Sequence, residues 1–503
     1  MNSIPVLIVG AGPTGLTLAC ELARRNVPVR IIERSPEYPK GSRAKGLQPR
    51  SLEVFDDLGI AEKVMAAGTT EVVFRRFNGP QLLGDIKREI FPREDTRYIQ
   101  GLLLPQWKIE EVLREKLSSL GGAVDLNTEL ISFSQTDDHA TALLQTPQGT
   151  EEVNCAYLVG CDGGKSQVRK ALGIKFEGET HEMERAFVGD VEVDGLIPDA
   201  WHTWLHPQYA FGFALCPFKC TKSWQVQTIA IPDKDGNLPE PSLEVFNQLF
   251  RERTQMPGVI LKNCTWQSLY RVNVRMADKY RVGRIFIAGD AAHAHSIAGG
   301  LGMNTGIQDA YNLGWKLAAV LKKEASFALL ETYEEERLPV AAWTLNISSE
   351  RQKVMQDSAN SGGNGGLHSI ATKDTTQLNL NYRYSSLSVD FEGSNIHRLK
   401  AGDRAPDAHF ADGSWLFDLY RGTHFTVLEF NNDQSLIDQI NRNFPGKVKA
   451  YSIKDEKVTK SFGIPGGLVV IRPDGYVGMM SVQTDVRQVT GYVQQFIASY
   501  NPG

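Results

Sequence analysis

The chain has 503 residues, 42% of them hydrophobic and 22% charged, with a formal net charge of −5. That length predicts two or three domains, each able to bury a core, and the mixed, mildly acidic charge excludes an electrostatic nucleic-acid binder and a polybasic membrane-surface protein. Six scattered cysteines make no disulfide framework, and no stretch approaches the ~18 apolar residues of a membrane span, so a reducing cytoplasm is the expected compartment.

The opening "IPVLIVG" is a buried strand rather than a signal peptide, because no basic region precedes it and a glycine turn ends it. "PTGLTLACELARRN" has helical spacing and "VPVRIIER" reads as a second strand. "QPRSLEVFDDLGIAEKVMAAG" is an amphipathic helix, residues 75 to 100 read as short strands, and a helix follows around "QWKIEEVLREKLSSLGG". Strands then run to "AYLVGCDGG". From 181 to 270 the pattern is strand-like, which predicts a β-rich insert in an α/β parent domain. "RIFIAGD" (strand) and "GIQDAYNLGWKLAAVLKK" (helix) restore the α/β pattern, and the glycine-rich "SANSGGNGGLHS" at 358–369 reads as a mobile loop. Beyond 396 come "FTVLEF" (strand), "QSLIDQINRNF" (helix) and a hairpin-like "GLVVIRPDGYV". The expected division is 1–74, 101–180 and 271–395 as one discontinuous domain, 75–100 and 181–270 as the β-rich domain, and 396–503 as a third.

Gly10, Gly12 and Gly15 form G-x-G-x-x-G between the first strand and the first helix. That setting lets backbone N–H groups and a helix N-terminus approach a pyrophosphate. Glu33 ends the second strand about 20 residues on, placed for a ribose hydroxyl, and disfavours a 2′-phosphate there. A second cluster, "GDAAHAHSIAGGLGMNTG" at 289–306, lies far along the chain. "RIFIAGD" delivers Asp290 to the carboxyl end of a strand, where open α/β sheets place ligands. Gly299, Gly300 and Gly302 let backbone lie flat against something wide, and a helix beginning near Asn304 can hold the negative charge of a reduced flavin. NAD does not need this distant contact; FAD does. A metal is the weaker reading of His293 and His295, and of His202, His206, Cys216 and Cys220, because neither set has a common zinc spacing; no metal is expected.

With these pieces placed, the chain resembles the flavoprotein aromatic hydroxylases of the para-hydroxybenzoate hydroxylase family, in the branch of aromatic polyketide and phenol hydroxylases with a C-terminal thioredoxin-like domain. The resemblance rests on "GAGPTG" at 10–15, "GCDGGKSQVR" at 160–169 and "AGDAAH" at 288–293, together with "SRAKGLQPRSLEVFDDLG", "GMNTGIQDAYNLGWKL" and "YEEERLPVA". It implies an α/β fold: a Rossmann-like FAD-binding domain, a β-rich substrate-binding insert and a thioredoxin-like α/β domain. It further implies that Gly10, Gly12, Pro13, Thr14, Gly15, Glu33 and Arg34 hold the adenosine diphosphate half of FAD, and that Arg43 and Gln106 touch the diphosphate or ribityl region. Asp162 would serve FAD and a passing nicotinamide, with Arg169 supporting its loop. Asp290 would bind the ribityl chain, and Gly300, Leu301, Gly302, Met303 and Asn304 would line the isoalloxazine.

The implied activity is NADPH- or NADH-driven hydroxylation of a phenolic or polycyclic aromatic substrate by molecular oxygen through a C4a-hydroperoxyflavin, with no catalytic side chain assigned. Baeyer–Villiger oxygenation, a flavin dehydrogenase or reductase without oxygenation, and a non-catalytic nucleotide-binding protein are the alternatives. The chain departs from the family at Ile297 and Leu301, where P-x-G-G-Q is usual, and its C-terminal region has no cysteine, so that region cannot perform thiol–disulfide chemistry and reads as structural, with a homodimer in view. In "WHTWLHPQYAFGFAL", the alternating His202, Trp204, Tyr209, Phe211 and Phe213 are candidates to line a planar-ring pocket, against the alternative that they are core.

Overall fold

The computed structural model describes residues 3–206, 212–232, 235–295, 300–360, 372–391, 399–464 and 466–497. Its first sheet runs Arg281–Val282, Ile285–Ile287, Gly149–Gly160, Ser3–Val9, Val29–Ile32, Val124–Asp125, with Ala140–Thr146 and Glu129–Gln135 added as an antiparallel extension beside Gly149–Gly160. From Ile285–Ile287 to Val124–Asp125 the neighbours are parallel, which requires crossovers, and helices cover them. Ser3–Val9 pairs with Val29–Ile32 on one side and Gly149–Gly160 on the other. The crevice at its carboxyl end is therefore the topological switch point where open α/β sheets take ligands. The helix Pro13–Ala23 starts there and buries Leu16, Leu18, Ala19, Cys20 and Leu22.

Two elements differ from the sequence reading. The amphipathic segment after residue 48 is two helices, Pro49–Asp57 and Ala61–Ala67, because Gly59 takes φ +71° and turns the chain between them. Within 181–270, Leu243–Thr254 is a helix, N-capped by the Ser242 side chain on the Val245 N–H (3.2 Å). Its Phe246 and Phe250, four apart, are fully buried; that helical spacing sits inside an otherwise strand-like stretch.

The second sheet runs His293–Ala294, Ile260–Ala277, Phe176–Asp194, Ser223–Ile229, Phe213–Pro217, Trp201–Trp204, Val73–Asn78, Gln81–Lys87. Residues from the 75–100 stretch thus join it as a hairpin, the first strand lying parallel to Trp201–Trp204. Residues opposite each other across a ladder share a face, so the register sorts the sheet. Trp204, Phe213, Leu215 and Val226 lie on the face covered by Phe246 and Phe250. Trp201, Thr203, Ala214, Cys216, Gln225, Gln227, Val188, Asp190, Trp266, Ser268 and Tyr270 lie on the opposite face.

The third sheet runs Val389–Phe391, Val477–Ser481, Leu468–Ile471, Phe425–Glu429, Val448–Ser452, with helices Gln434–Asn443, Glu456–Phe462 and Val486–Val493. From residue 425 on this is β-α-β-α-β-β-α with a parallel first pair and antiparallel later strands, the thioredoxin-like arrangement. It is stitched to the rest by buried charge: Glu336 accepts from Lys316 Nζ (2.7 Å) and Arg472 Nη1 (2.6 Å), and Glu53 from Arg404 Nη1 (3.0 Å) and Arg50 Nη1 (2.8 Å). Among the described residues no helix is long and apolar enough to cross a membrane.

Candidate functional site

The glycine fingerprint lies at the carboxyl end of Ser3–Val9. Gly10 takes φ +103°, and a Cβ there would overlap the Cys161 carbonyl and stand 3.1 Å from the Asp162 Cα; only glycine fits both demands. A Cβ on Gly15 would overlap the Gly10 carbonyl oxygen, so the helix Pro13–Ala23 lies directly on the turn. Gly12 is different. Its backbone is extended (φ −76°, ψ −177°), a Cβ there would meet nothing within 4 Å, and no side chain caps the helix that follows. The first-turn N–H groups therefore face open space. Thr14, half-buried, packs against Gly289 and Gly306, which brings the 10–15 turn against the 289–306 cluster.

Glu33 is held by two backbone donors, Ala11 N–H to Oε2 (3.1 Å) and Ser35 N–H to Oε1 (3.0 Å). Its carboxylate is thereby fixed one strand away from the glycine turn. Arg34 is exposed beside it, and Arg43 is exposed on the segment that leads to Gly46. Gln106 accepts from the Ala44 N–H (3.1 Å) and donates to Glu110 Oε1 (2.8 Å), so its side chain pins the 43–45 segment. Asp162 Oδ2 accepts from the N–H groups of Gln167 (2.7 Å) and Val168 (3.2 Å), while its Oδ1 is buried with no partner among the described residues. Arg169 donates to the carbonyls of Ala291 (2.8 Å) and Gly164 (2.9 Å), fastening the Asp162 loop to the Asp290 turn.

Asp290 is open to solvent, yet surrounding protein pushes its carboxyl pKa up, with His293 and Arg43 acting in the opposite direction. This exposed acid follows the strand Ile285–Ile287 at its carboxyl end, the crevice side of the sheet. The helix Gly302–Leu321 begins beside it, without a side-chain cap. Gly300 takes φ +61° and is exposed, Leu301 and Asn304 are fully buried, and Gly302 and Met303 are half-buried. The Asn304 side chain accepts from the Gln48 N–H (2.7 Å) and donates to the carbonyls of Gly46 (3.0 Å) and Gly300 (2.8 Å), tying three segments together. Ile297 and Gly299 lie outside the described residues, as do Tyr209, Phe211 and the 361–369 part of the glycine-rich loop.

The two histidines of the second cluster form a buried chain. His293 Nε2 meets Asp309 Oδ2 at 2.6 Å, and His295 Nε2 meets His293 Nδ1 at 2.7 Å. Burial would raise the Asp309 carboxyl, but Arg337 (2.7 Å) and His293 together hold it below its ordinary value. Burial and His293 push His295 well below its usual range. Among the described residues no group of three His, Cys, Asp or Glu is arranged to hold a metal. These histidines anchor the Asp290 turn to the helix behind it.

His202, Trp204 and Phe213 are buried among aromatic neighbours: Trp204 stacks on Phe77 (5.1 Å) and meets Phe250 edge-on (5.2 Å), and Phe213 meets Phe250 at 5.1 Å. They belong to the packed outer face, under the helix Leu243–Thr254. The face turned toward the 41–47 segment is the other one, shown by Ser42 N–H to Asp190 Oδ2 (2.9 Å), Lys45 Nζ to Gln225 Oε1 (2.5 Å) and Tyr270 OH to the His295 carbonyl (2.9 Å). Sequence reasoning missed Lys45, Trp201, Asp190 and Gln225. The alternation in "WHTW" was the available signal, but both phases carry a tryptophan.

The site fits an extended dinucleotide on its own geometry: an open diphosphate approach at Gly12, a buried carboxylate oxygen of Asp162 with no partner among the described residues, and a desolvated acid at the strand end, Asp290. The FAD binding domain family matches residues 3–348, and the phenol hydroxylase C-terminal dimerisation domain matches residues 427–501. The chain belongs to the FAD-dependent aromatic hydroxylases. A flavin-dependent monooxygenase of Mycobacteroides abscessus is 41% identical over 95% of this chain and 97% of its own length. Pentachlorophenol 4-monooxygenase of Sphingobium chlorophenolicum is 32% identical, covering 94% and 93% of the two chains. Among solved structures, aklavinone-11 hydroxylase in complex with FAD and aklavinone superposes with a TM-score of 0.83 at 25% identity, covering 99% of each chain. The OxyS anhydrotetracycline hydroxylase of Streptomyces rimosus gives 0.76 at 27% identity, covering 98% of this chain and 99% of its own. FAD is thus the cofactor of this flavin monooxygenase.

Proposed function

We propose that this hydroxylase uses NADPH or NADH and molecular oxygen to hydroxylate a phenolic or polycyclic aromatic compound. The observation that carries the reading is similarity along almost the whole chain to enzymes named for such compounds, pentachlorophenol and aklavinone among them, joined to a cleft whose free donors and acids suit FAD. Bound FAD supplies acceptance of a hydride and activation of oxygen. The chain's share is holding, orienting and excluding water. Gly12, Thr14 and Gly15 present backbone N–H groups to the diphosphate, while Gly10 makes the turn, its N–H bonded to the Ile32 carbonyl (2.9 Å), and Pro13 opens the helix. Glu33, with Arg34 beside it, takes the adenosine ribose. Arg43, Asp162 and Asp290 hold the middle of the cofactor, and Gln106 acts by fixing the 43–45 segment. The backbone from Gly300 to Asn304 supports the flavin ring.

The substrate pocket is assigned to the sheet face that carries Trp201, Gln225, Gln227 and Tyr270, because that face meets the 41–47 segment. The domain division at 1–74, 101–180 and 271–395, at 75–100 and 181–270, and at 396–503 is kept as the proposed one, with its edges to be moved where the strands Val73–Asn78, Phe176–Asp194 and Ile260–Ala277 run across them and where Val389–Phe391 joins the third sheet. A homodimer formed through the C-terminal domain and a cytoplasmic location complete the reading. The test is NAD(P)H oxidation and oxygen uptake by the FAD-loaded protein against phenols and multi-ring quinones, with product mass. One added oxygen and a ring hydroxyl are expected; an oxygen inserted beside a ketone, or turnover without oxygen, overturns the reading.

A further inference from the structure

Lys45 extends from the 41–47 segment onto the inner face of the second sheet. Its Nζ donates to Gln225 Oε1 (2.5 Å) and stands 4.1 Å from the centre of the Trp201 ring. Both partners are neutral. No carboxylate lies within ion-pair distance of this ammonium among the described residues; Asp190, whose field reaches it, accepts the Ser42 N–H instead (2.9 Å). Gln225 and Asp190 are buried at 0% and 1% exposure, and Trp201 at 9%. Burial draws the Lys45 pKa down to about 8, so the group keeps its charge at neutral pH at a desolvation cost. Lys45 as a whole is half-buried, but its ammonium is held by a buried amide and a buried indole and lacks the anion that ordinarily compensates a desolvated cation. The face it occupies is the one assigned to substrate above.

We infer that Lys45 is a substrate-binding residue whose ammonium receives the anionic oxygen of an ionised phenol or enol, with Gln225 and Trp201 aiming it. This rests on the proposed hydroxylase function and adds the residue that recognises the ionised oxygen. The phenol O–H bond breaks on binding, its proton leaves to bulk water, and the oxygen keeps the electron pair opposite the ammonium; no carbon is oxidised in that step. A ring bearing O⁻ is richer in electrons than the neutral phenol, which is what attack by an electrophilic oxygen requires. Gln225, rather than a glutamate, leaves the ammonium's charge available to the ligand.

The test uses the FAD-loaded full-length protein and two phenols whose colour reports ionisation, para-nitrophenol and alizarin, with para-nitroanisole as the ether that cannot ionise. Wild type is expected to bind the phenols in their coloured, ionised form below their solution pKa. Lys45→Met should weaken that binding by about 10- to 150-fold, the range for a hydrogen bond to a charged group, return the bound phenol to its neutral colour and leave the ether unaffected. Lys45→Arg should recover the ionised colour. Gln225→Glu gives the ammonium its own counter-ion; it should hold or raise the melting temperature while abolishing preference for the ionised phenol. A merely structural lysine would show no such colour change.

Four results overturn the inference: Lys45→Met binding coloured phenolate as tightly as wild type, phenols and ether weakened equally, neither phenol bound by wild type, or a loss of FAD affinity with phenol binding intact. Failure of the hydroxylase reading is distinguishable, since it leaves the colour shift in place while no phenol in the panel stimulates oxygen uptake.

Discussion

Replacing Gly12 by alanine separates cofactor binding from folding. The backbone of Gly12 is extended, and a Cβ there touches nothing within 4 Å, so the apoprotein accommodates alanine without movement. A less flexible unfolded chain contributes about 0.4–1 kcal/mol in favour of the variant. The lost preference for glycine at a helix N-cap costs a similar amount, ~0.5–1 kcal/mol, so the two offset. The methyl group instead stands in the open approach to the first turn of Pro13–Ala23. Displacing a phosphate from one charge-assisted N–H bond costs about 1.5–3 kcal/mol, which is about 10- to 150-fold in Kd. Gly15→Ala is the control with the opposite signature. Its Cβ overlaps the Gly10 carbonyl oxygen and stands 3.3 Å from the Cys161 Cβ, so helix and turn must part, at about 1–3 kcal/mol of apoprotein stability. Apoprotein melting by scanning fluorimetry and FAD titration by fluorescence quenching measure the two quantities independently. Wild-type FAD affinity in Gly12→Ala, or an unfolded Gly12→Ala apoprotein, refutes the placement of the diphosphate.

Trp204→Ala empties the outer face of the second sheet and is expected to cost about 3–5 kcal/mol in urea unfolding, whereas Trp204→Phe leaves KM for the substrate unchanged; a large KM rise in Trp204→Phe would return that face to the pocket. Glu336→Gln withdraws the shared carboxylate charge of buried Lys316 and Arg472 and should lower stability by about 3–5 kcal/mol by calorimetry; a loss under ~1 kcal/mol refutes that reading of the interface. Stability should also fall on the acid side. His295 has a folded pKa below its unfolded value, so its contribution is complete above about pH 6.5 and declines below that, because only the unfolded chain takes up the proton. Asp309, also depressed, keeps its contribution above about pH 4 and loses it as pH falls through the folded pKa. His295→Asn should flatten the first of these declines in denaturant titrations at successive pH values, and an unaltered profile refutes the assignment.

The sequence by itself determined the order of the elements and the cofactor class. A buried strand, G-x-G-x-x-G and a helix, with Glu33 about one strand further on, can be read locally because each requirement acts between near neighbours: a turn at Gly10, a close approach at Gly15, a carboxylate at a strand end. The distant "GDAAH" cluster was legible as the far wall of the same site because Asp290 again lies at a strand end. The helix Leu243–Thr254 was not, since two phenylalanines four apart fit a core-facing helix inside a run that otherwise alternates. Tertiary structure alone decided which phase of "WHTW" faces the substrate: strand alternation defines two faces, but with a tryptophan on each, only the covering helix and the register with Gln225 and Asp190 tell them apart. It also decided that Asp162 keeps a buried oxygen with no partner among the described residues, and that the half-buried Lys45 lies beside an amide and an indole instead of a carboxylate. Whether a charge has a counter-ion depends on residues about 180 positions away in the chain, such as Gln225, and no local pattern reports that distance.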